Sequence, residues 1–227
     1  MAVYETEIIR VSEIAEGTVE MVLRRPEKFS FEAGQYAQVA VAHLAYGDPK
    51  GASRVFSMAS PPTDKRSVSF AFRNTGSGMK RTIAEAGKGM KMILEGPYGF
   101  YTFPKSVDRP LVLVAGGIGI TPYMSMIRFA REMRSPLRIA LVYANANRRR
   151  AAYLSELKET ARERKEFSLH EVYGKLNRRV LADIAAEHEN AKWHIAGPPG
   201  MVEYARSELI GAAVDEESIY AESFTGY

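Results

Sequence analysis

Residues 111–122 join a short apolar run to a glycine turn, which is an arrangement typical of a phosphate-binding site. The first five residues are uninterruptedly apolar, as in a strand that is buried on both faces. Three glycines follow, at Gly116, Gly117 and Gly119. Thr121 and Pro122 then provide a cap residue and a first helical position, so backbone N–H groups and a helix dipole converge on one point. The stretch predicts a nucleotide site, with a simple tight turn as the alternative.

Residues 54–57 place an arginine, an aromatic ring and a hydroxyl group on one predicted strand. Arg54 and Phe56 share a face, while Ser57 points to the opposite side. Arginine suits a diphosphate, an aromatic ring suits a planar ring system, and serine can hydrogen-bond a heterocycle nitrogen. The alternative interpretation is an amphipathic strand with a surface arginine.

A second glycine turn, residues 74–82, leads into a short predicted helix. Lys80 and Arg81 lie in its first turn, and this is another geometry that suits an anion. A loop whose charges are only solvated is the alternative.

The composition excludes several kinds of chemistry. The 227 residues contain no cysteine, so disulfides, thiolate zinc sites, a cysteine nucleophile and a thiolate-bound iron–sulfur cluster are excluded within this chain. The four histidines lack metal-ligand spacing, and we predict no metal site. The net charge of +4 could steer acidic partners but does not indicate nucleic acid. No apolar run approaches the ~20 residues of a membrane span, and we expect a cytoplasmic protein.

The periodicity changes from Arg109 onward, and we predict two domains, residues 1–105 and 106–227. The first half reads as short strands rich in β-branched and aromatic residues, which favours a small antiparallel sandwich or barrel. Besides residues 54–57, the predicted strands are 7–12, 19–23, 35–41, 67–72 and 91–94, with one helix near 79–86. In the second half strands alternate with helices, which predicts an α/β domain with a doubly wound parallel sheet.

Three consecutive arginines follow the second predicted strand of the parallel sheet. An NAD site usually presents an acid there, whereas an NADP site presents a cation to the 2′-phosphate. Arg148, Arg149 and Arg150 precede the first acid of this region, Glu156. NADP is therefore favoured, with NAD as the alternative. The arginines could also be solvated charges at the start of a helix, without a role in binding.

Together these motifs resemble the ferredoxin–NADP reductase superfamily, in the right order and over nearly the whole chain. Residues 54–57 match its R-x-[Y/F]-S motif, and residues 116–122 match its G-G-x-G-x-x-P motif. Residues 196–201 correspond to C-G-P-P-x-M, and residues 222–224 correspond to a closing acid-x-aromatic motif. The resemblance implies a flavin-binding, six-stranded antiparallel β-barrel, followed by an NAD(P)-binding domain whose C-terminal tail returns to the flavin.

The implied activity is that of an NAD(P)H-dependent flavoprotein reductase. Hydride would pass from NADPH to FAD, and electrons would then go to a separate acceptor, because no cluster can form within this chain. That acceptor would be an acidic ferredoxin, a flavodoxin, an oxygenase component or a small molecule, with neither nucleic acid nor a membrane span involved.

The resemblance also implies roles for individual residues. Arg54 would hold the flavin phosphate, Ser57 would hydrogen-bond flavin N5, and Phe224 would cover the flavin face with Glu222 nearby as a proton-handling group. The implied catalytic residues are Ser57, Glu222 and Phe224. The implied flavin-binding residues are Arg54, Val55, Phe56, Ser57, Arg73, Gly76, Gly78, Met79, Lys80 and Phe224. The implied nucleotide-binding residues are Gly117, Gly119, Thr121, Pro122, Arg148, Arg149, Gly197, Pro198 and Met201.

Several positions depart from the family pattern. Phe56 replaces a frequent tyrosine, Lys80 replaces a frequent Ser or Thr, and Ala196 replaces the cysteine beside the nicotinamide. Tyr227 is a second candidate for covering the flavin. The segment Phe56–Ser60 is similar to the branch that reduces free flavin, which leaves that activity as one alternative. A cofactor-binding subunit without turnover is the other.

Overall fold

The computed structural model describes residues 2–224, which form two compact units. The first unit consists of residues 2–103 and 121–132, and the second consists of residues 104–120 and 133–224. The domain boundary near residue 105 stays a prediction.

The first unit is a six-stranded sheet in which every pairing between neighbouring strands is antiparallel. Its strands are β1 (Ala2–Ala15), β2 (Thr18–Arg24), β3 (Tyr36–Val41), β4 (Ser53–Ser57), β5 (Ser67–Arg73) and β6 (Lys91–Tyr98). The order is β4-β3-β6-β1-β2-β5. A bridge from Met58 to Phe70 links the end of β4 to the other edge strand. The sheet thereby closes on itself around an apolar core, as a small barrel does.

Alternation along the strands explains which side chains fill this core. In β6 Met92 and Leu94 are buried, whereas Lys91 and Ile93 are exposed, because successive side chains of a strand point to opposite faces. Two helices belong to the unit, α1 (Gly78–Ala84) and α2 (Ile120–Glu132).

Helix α2 is joined to the barrel by hydrogen bonds from polar side chains. Ser125 donates from Oγ to the carbonyl oxygen of Ser60 at 2.7 Å, and Arg128 donates to that of Ala59 at 2.9 Å. The helix begins two residues before Pro122, directly after a 3₁₀ turn formed by Gly117–Gly119. The helical backbone thus begins at the glycine turn, earlier than the start that Thr121 and Pro122 predicted.

The second unit is a five-stranded parallel sheet with helices between its strands. Its strands are β7 (Leu111–Gly116), β8 (Ile139–Asn145), β9 (Phe167–Tyr173), β10 (Lys192–Gly197) and β11 (Ile219–Ser223), and its helices are α3 (Leu154–Glu163), α4 (Arg178–Glu187) and α5 (Pro199–Gly211). The order is β11-β10-β7-β8-β9. Strands β7 and β8 are buried along their whole length, as expected for central parallel strands.

The predicted fold class is confirmed: a closed antiparallel sheet of six strands precedes a doubly wound parallel sheet. Within residues 2–224 no helix combines the length and the apolar character that crossing a membrane requires.

Candidate functional site

Arg54 of β4, the predicted phosphate ligand, is held in place by its own loop. Its Nη2 lies 2.7 Å from Oδ2 of Asp48. Its Nη1 donates to the backbone carbonyls of Lys50, Gly51 and Ser53. The guanidinium is therefore fixed by an ion pair and by backbone contacts.

The turn that enters α1 brings further anion-binding groups into the first unit. The backbone N–H of Met79 donates to Oδ2 of Asp48 at 2.9 Å, which links this turn to the partner of Arg54. Lys80 is buried, and burial is the main reason that the pKa of its ammonium group is lowered. Oγ of Ser77 is buried and finds no hydrogen-bond partner among the described residues.

These groups fit a flavin diphosphate in their chemistry. A buried hydroxyl without a partner and a buried ammonium group both gain from a phosphate oxygen, and arginine is the preferred side chain for a diphosphate. Asp48, however, already occupies Arg54 and the N–H of Met79. We call Arg54, Ser77, the N–H of Met79 and Lys80 the cradle. The cradle fits the cofactor on condition that the Asp48 carboxylate releases the Arg54 guanidinium and the N–H of Met79.

The remaining residues of the R-x-[Y/F]-S motif have different environments. Phe56 is 8% exposed and packs in the core, with its ring centroid 5.5 Å from that of Phe72. Val55 is exposed, and Ser57 is half-buried at the end of β4. The structure thus places Phe56 among apolar side chains, and its contact with flavin stays a prediction.

Arg73 and Gly76 were also predicted to bind flavin. The Arg73 guanidinium donates to the backbone carbonyl of Glu16 at 3.1 Å and to the hydroxyl of Thr18, so it holds the turn between β1 and β2. Gly76 has φ +79°, a conformation that favours glycine, and its N–H donates to the Asn74 side chain at 3.3 Å. Both residues stabilise the local backbone, and their cofactor roles stay predictions.

An aromatic pair beside Ser57 was missing from the predicted site. Tyr36 pairs with Ser57 on one side and with Tyr98 on the other, and the two tyrosine rings stack with centroids 5.7 Å apart. The Tyr98 hydroxyl donates to Glu95 at 2.6 Å, and this hydrogen bond raises the pKa of Tyr98. The register that joins β4, β3 and β6 creates this platform, so no local sequence signal revealed it.

In the second unit, glycines at the carboxyl ends of β7 and β10 allow very close packing. A Cβ on Gly119 would lie 2.2 Å from the carbonyl oxygen of Ala196, and one on Gly116 would lie 2.4 Å from Sδ of Met201. A Cβ on Gly197 would lie 2.9 Å from Cε of Met201. Gly119 is therefore required for packing, because only backbone atoms lie next to its Cβ position, whereas at Gly116 and Gly197 the flexible Met201 side chain is the nearest neighbour.

The other predicted nucleotide-binding residues of these two turns also lie close to strand ends. Gly117 has φ +54°, within the region that favours glycine. Thr121 and Pro122 are buried in the first turn of α2, whereas Pro198 is exposed just before α5. Their contacts with a nucleotide stay predictions.

Strand β11 brings Glu222 beside the position where the family has cysteine. Ala196 pairs with Glu222, and the N–H of Phe224 donates to the carbonyl oxygen of Gly197 at 2.9 Å. Burial raises the pKa of the Glu222 carboxyl group, which favours its protonated form. The structure thus brings Glu222 and Phe224 to the end of β10, while Tyr227 lies outside the described residues.

The loop after β8 carries the predicted 2′-phosphate ligands. Arg148 and Arg149 are exposed in a 3₁₀ turn, which is capped by Asn147 accepting from the N–H of Arg150 at 3.1 Å. Asn145, the last residue of β8, was not predicted as a site residue. It is 5% exposed, and neither atom of its amide group finds a hydrogen-bond partner within residues 2–224. Its position as the polar residue that ends a buried apolar strand could have identified it.

No group of three or more His, Asp or Glu residues in the described part of the chain could hold a metal ion.

Comparison with known proteins identifies relatives of both units. Residues 113–207 match the family model described as "Oxidoreductase NAD-binding domain". The reductase component of propane 2-monooxygenase from Mycolicibacterium goodii is 27% identical over 239 residues, covering 97% of this chain and 67% of the relative. Across three such reductase components, this chain spans 61% to 67% of the relative's length.

Solved structures have the same fold. A cytochrome P450 reductase from Amycolatopsis gives a TM-score of 0.83 at 21% identity, with 98% of this chain and 70% of that chain covered. A ferredoxin–NADP⁺ reductase from Neisseria gonorrhoeae, solved with bound FAD and NADP, gives 0.81 at 18% identity, with 98% and 99% covered.

Proposed function

We propose that this chain, which has the fold of the ferredoxin–NADP reductase superfamily and an oxidoreductase NAD-binding domain, is an NADPH-dependent flavoprotein reductase that passes electrons to a separate acceptor. One observation carries the proposal. A single chain combines a parallel unit matched by an NAD-binding model with a closed antiparallel sheet whose buried donors suit a flavin diphosphate. Relatives named as the reductase component of propane 2-monooxygenase and the electron transfer component of anthranilate 1,2-dioxygenase support it.

The first unit binds FAD. Arg54, Lys80 and the Ser77 hydroxyl hold its diphosphate, because they supply two cations and a buried hydroxyl that lacks a partner. When bound, FAD accepts two electrons as a hydride and returns them one at a time. Ser57 hydrogen-bonds the flavin ring from the end of β4, beside the platform of Tyr36 and Tyr98.

The second unit binds the nicotinamide nucleotide at the carboxyl ends of β7 and β8, where parallel sheets of this kind take ligands. Gly117 and Gly119 form the turn directly before α2, where a helix start favours a phosphate, and Arg148 and Arg149 bind the 2′-phosphate that distinguishes NADPH from NADH. Glu222, whose pKa is raised by burial, can retain a proton at the end of β11.

The acceptor is a separate cytoplasmic protein of the ferredoxin, flavodoxin or oxygenase-component type, or a small molecule. These 227 residues contain no cysteine to hold an iron–sulfur cluster, so the chain itself supplies no such carrier. A basic surplus of four charges is compatible with an acidic partner.

The test is anaerobic mixing of the FAD-loaded protein with NADPH, followed by a one-electron acceptor. We expect prompt bleaching of the flavin and reduction of the acceptor. Ser57→Ala should slow bleaching while FAD remains bound, and Ser53→Ala on the same strand is the matched control. No bleaching by NADPH or NADH would identify a cofactor-binding subunit without turnover and refute the proposal.

The Asp48 contact favours a second candidate, a reductase that uses flavin as a diffusible substrate. An anion already bound to Arg54 weakens retention of the flavin phosphates. Desalting the purified protein separates the two candidates. Loss of all yellow colour with weak rebinding of FAD would favour the free-flavin reductase.

A further inference from the structure

The loop between β3 and β4, residues 42–52, packs directly on the turn that enters α1 at Gly78. A Cβ on Gly78 would lie 2.3 Å from the carbonyl oxygen of Gly47 and 2.5 Å from that of Tyr46, so only glycine permits this approach. The N–H of Ala45 also donates to Oγ1 of Thr82 at 3.1 Å. We call this segment the Asp48 loop.

Asp48 projects from this loop into the cradle as a buried anion. Its side chain is 1% exposed, and Oδ2 contacts both Nη2 of Arg54 at 2.7 Å and the N–H of Met79 at 2.9 Å. Oδ1 accepts from the N–H of Lys50 at 2.9 Å. These hydrogen bonds, led by the one from Met79, lower the pKa of Asp48 far below its ordinary value, so the carboxyl group is ionised at neutral pH.

A flavin diphosphate and the Asp48 carboxylate require the same donors. Each hydrogen on Arg54 Nη2 and on the Met79 amide serves one strong acceptor well, and two anions a few ångströms apart repel each other in a poorly solvated site. The ligand therefore replaces the carboxylate or binds against its charge. Riboflavin, which has the same ring and ribityl chain but no phosphate, avoids this conflict.

We infer that Asp48 is an internal competitor for the flavin phosphates and is the residue that sets how tightly this chain holds FAD relative to riboflavin. The inference rests on the proposed flavin-binding function. Asp48 weakens the binding of the diphosphate half of FAD and leaves the binding of the ring half unchanged. The bound flavin consequently exchanges more readily than in a cradle without this carboxylate.

The loop has anchors other than Asp48, so the side chain can be changed without releasing the segment. The Arg81 guanidinium lies 3.8 Å from the centroid of the Tyr46 ring, and the Tyr46 hydroxyl donates to Glu85. Asp48→Asn removes the charge and keeps one acceptor oxygen, which can serve either the N–H of Met79 or the N–H of Lys50. Asp48→Ala removes both.

The experiment measures dissociation constants of the full chain for FAD and riboflavin by equilibrium titration. Asp48→Asn should tighten FAD at least about tenfold, since one like charge next to the ligand is removed, with riboflavin changed less than about twofold. Asp48→Ala should tighten FAD as much or more. Asp64→Asn is the matched control, because Asp64 also accepts backbone N–H bonds in a loop of the same unit.

A second readout uses inorganic pyrophosphate and needs no flavin. Pyrophosphate should raise the melting temperature of Asp48→Asn and leave that of the unchanged chain constant. The inference is wrong if both Asp48 variants bind FAD more weakly, relative to riboflavin, than the unchanged chain does. It is also wrong if the ratio of the two dissociation constants stays the same. If neither the unchanged chain nor any variant binds flavin, the proposed function fails. The inference is overturned separately if pyrophosphate changes the melting temperature of the unchanged chain and of Asp48→Asn equally.

Discussion

Gly119 offers the most direct test of how the second unit is packed at the carboxyl ends of β7 and β10. In Gly119→Ala the new Cβ would lie 2.2 Å from the carbonyl oxygen and 2.5 Å from the carbonyl carbon of Ala196, and 2.9 Å from the nitrogen of Gly197. All three atoms are backbone atoms of β10. No side-chain rotation can relieve the contact, so the strand end has to move.

The size of the effect follows from this distance. The Ala196 oxygen must recede by about 0.8 Å to reach the 3.0 Å that real Cβ contacts respect. Such a shift strains the ladders that β10 forms with β7 and β11 at residue 196. Overpacking of this kind costs ~1–3 kcal/mol, and we expect about 3 kcal/mol because only backbone can yield. For a chain of this size that corresponds to a fall in melting temperature of roughly 6–12 °C.

Two matched substitutions calibrate the measurement by thermal and urea unfolding. Gly116→Ala meets the flexible end of Met201, with its Sδ at 2.4 Å, so its cost should be smaller. Gly200→Ala, in the first turn of α5, has no heavy atom within 4 Å of its new Cβ and should gain up to about 1 kcal/mol in stability from helix propensity. If Gly119→Ala unfolds at the same temperature as Gly200→Ala, the close approach to Ala196 is refuted.

Two further predictions concern the second unit. Replacing both Arg148 and Arg149 with alanine should raise the KM for NADPH about tenfold while the KM for NADH stays within about twofold, because the 2′-phosphate loses its cations; an equal rise for both nucleotides would contradict this role. Burial raises the pKa of Glu222 in the folded chain, so its contribution to stability is present at low pH and is lost as the pH rises through that pKa. The difference between the melting temperatures of Glu222→Gln and of the unchanged chain should therefore shift in favour of the variant as the pH rises above the ordinary glutamate pKa of about 4, and a constant difference would show that the carboxyl group is not desolvated.

Local patterns in the sequence were sufficient to predict both sheets. An uninterrupted apolar run such as Leu111–Ala115 favours a strand covered on both faces, whereas segments rich in β-branched and aromatic residues, such as residues 67–72, favour the strands of the first sheet. Periodicity is a property of neighbouring residues, so it is readable without knowledge of the rest of the chain. The position of the glycine turn between strand and helix was predicted for the same reason.

The environments of the site residues depended on contacts between residues that are distant in sequence. Asp48 and Met79 are 31 positions apart, and no motif indicates that a carboxylate from one loop will occupy the turn of another. The burial of Phe56 against Phe72 likewise follows from the closure of the barrel, which turns one face of β4 towards the core.

The sequence by itself determined the order of strands and helices, the positions of the glycine turns and the absence of cysteine chemistry within this chain. Tertiary structure alone decided that Gly119 packs against the backbone of Ala196, that Gly116 and Gly197 pack against Met201, and that Arg54 is paired with Asp48. The physical reason is that hydrogen bonds and steric contacts depend on distances of a few ångströms, which are set only when separate segments pack together.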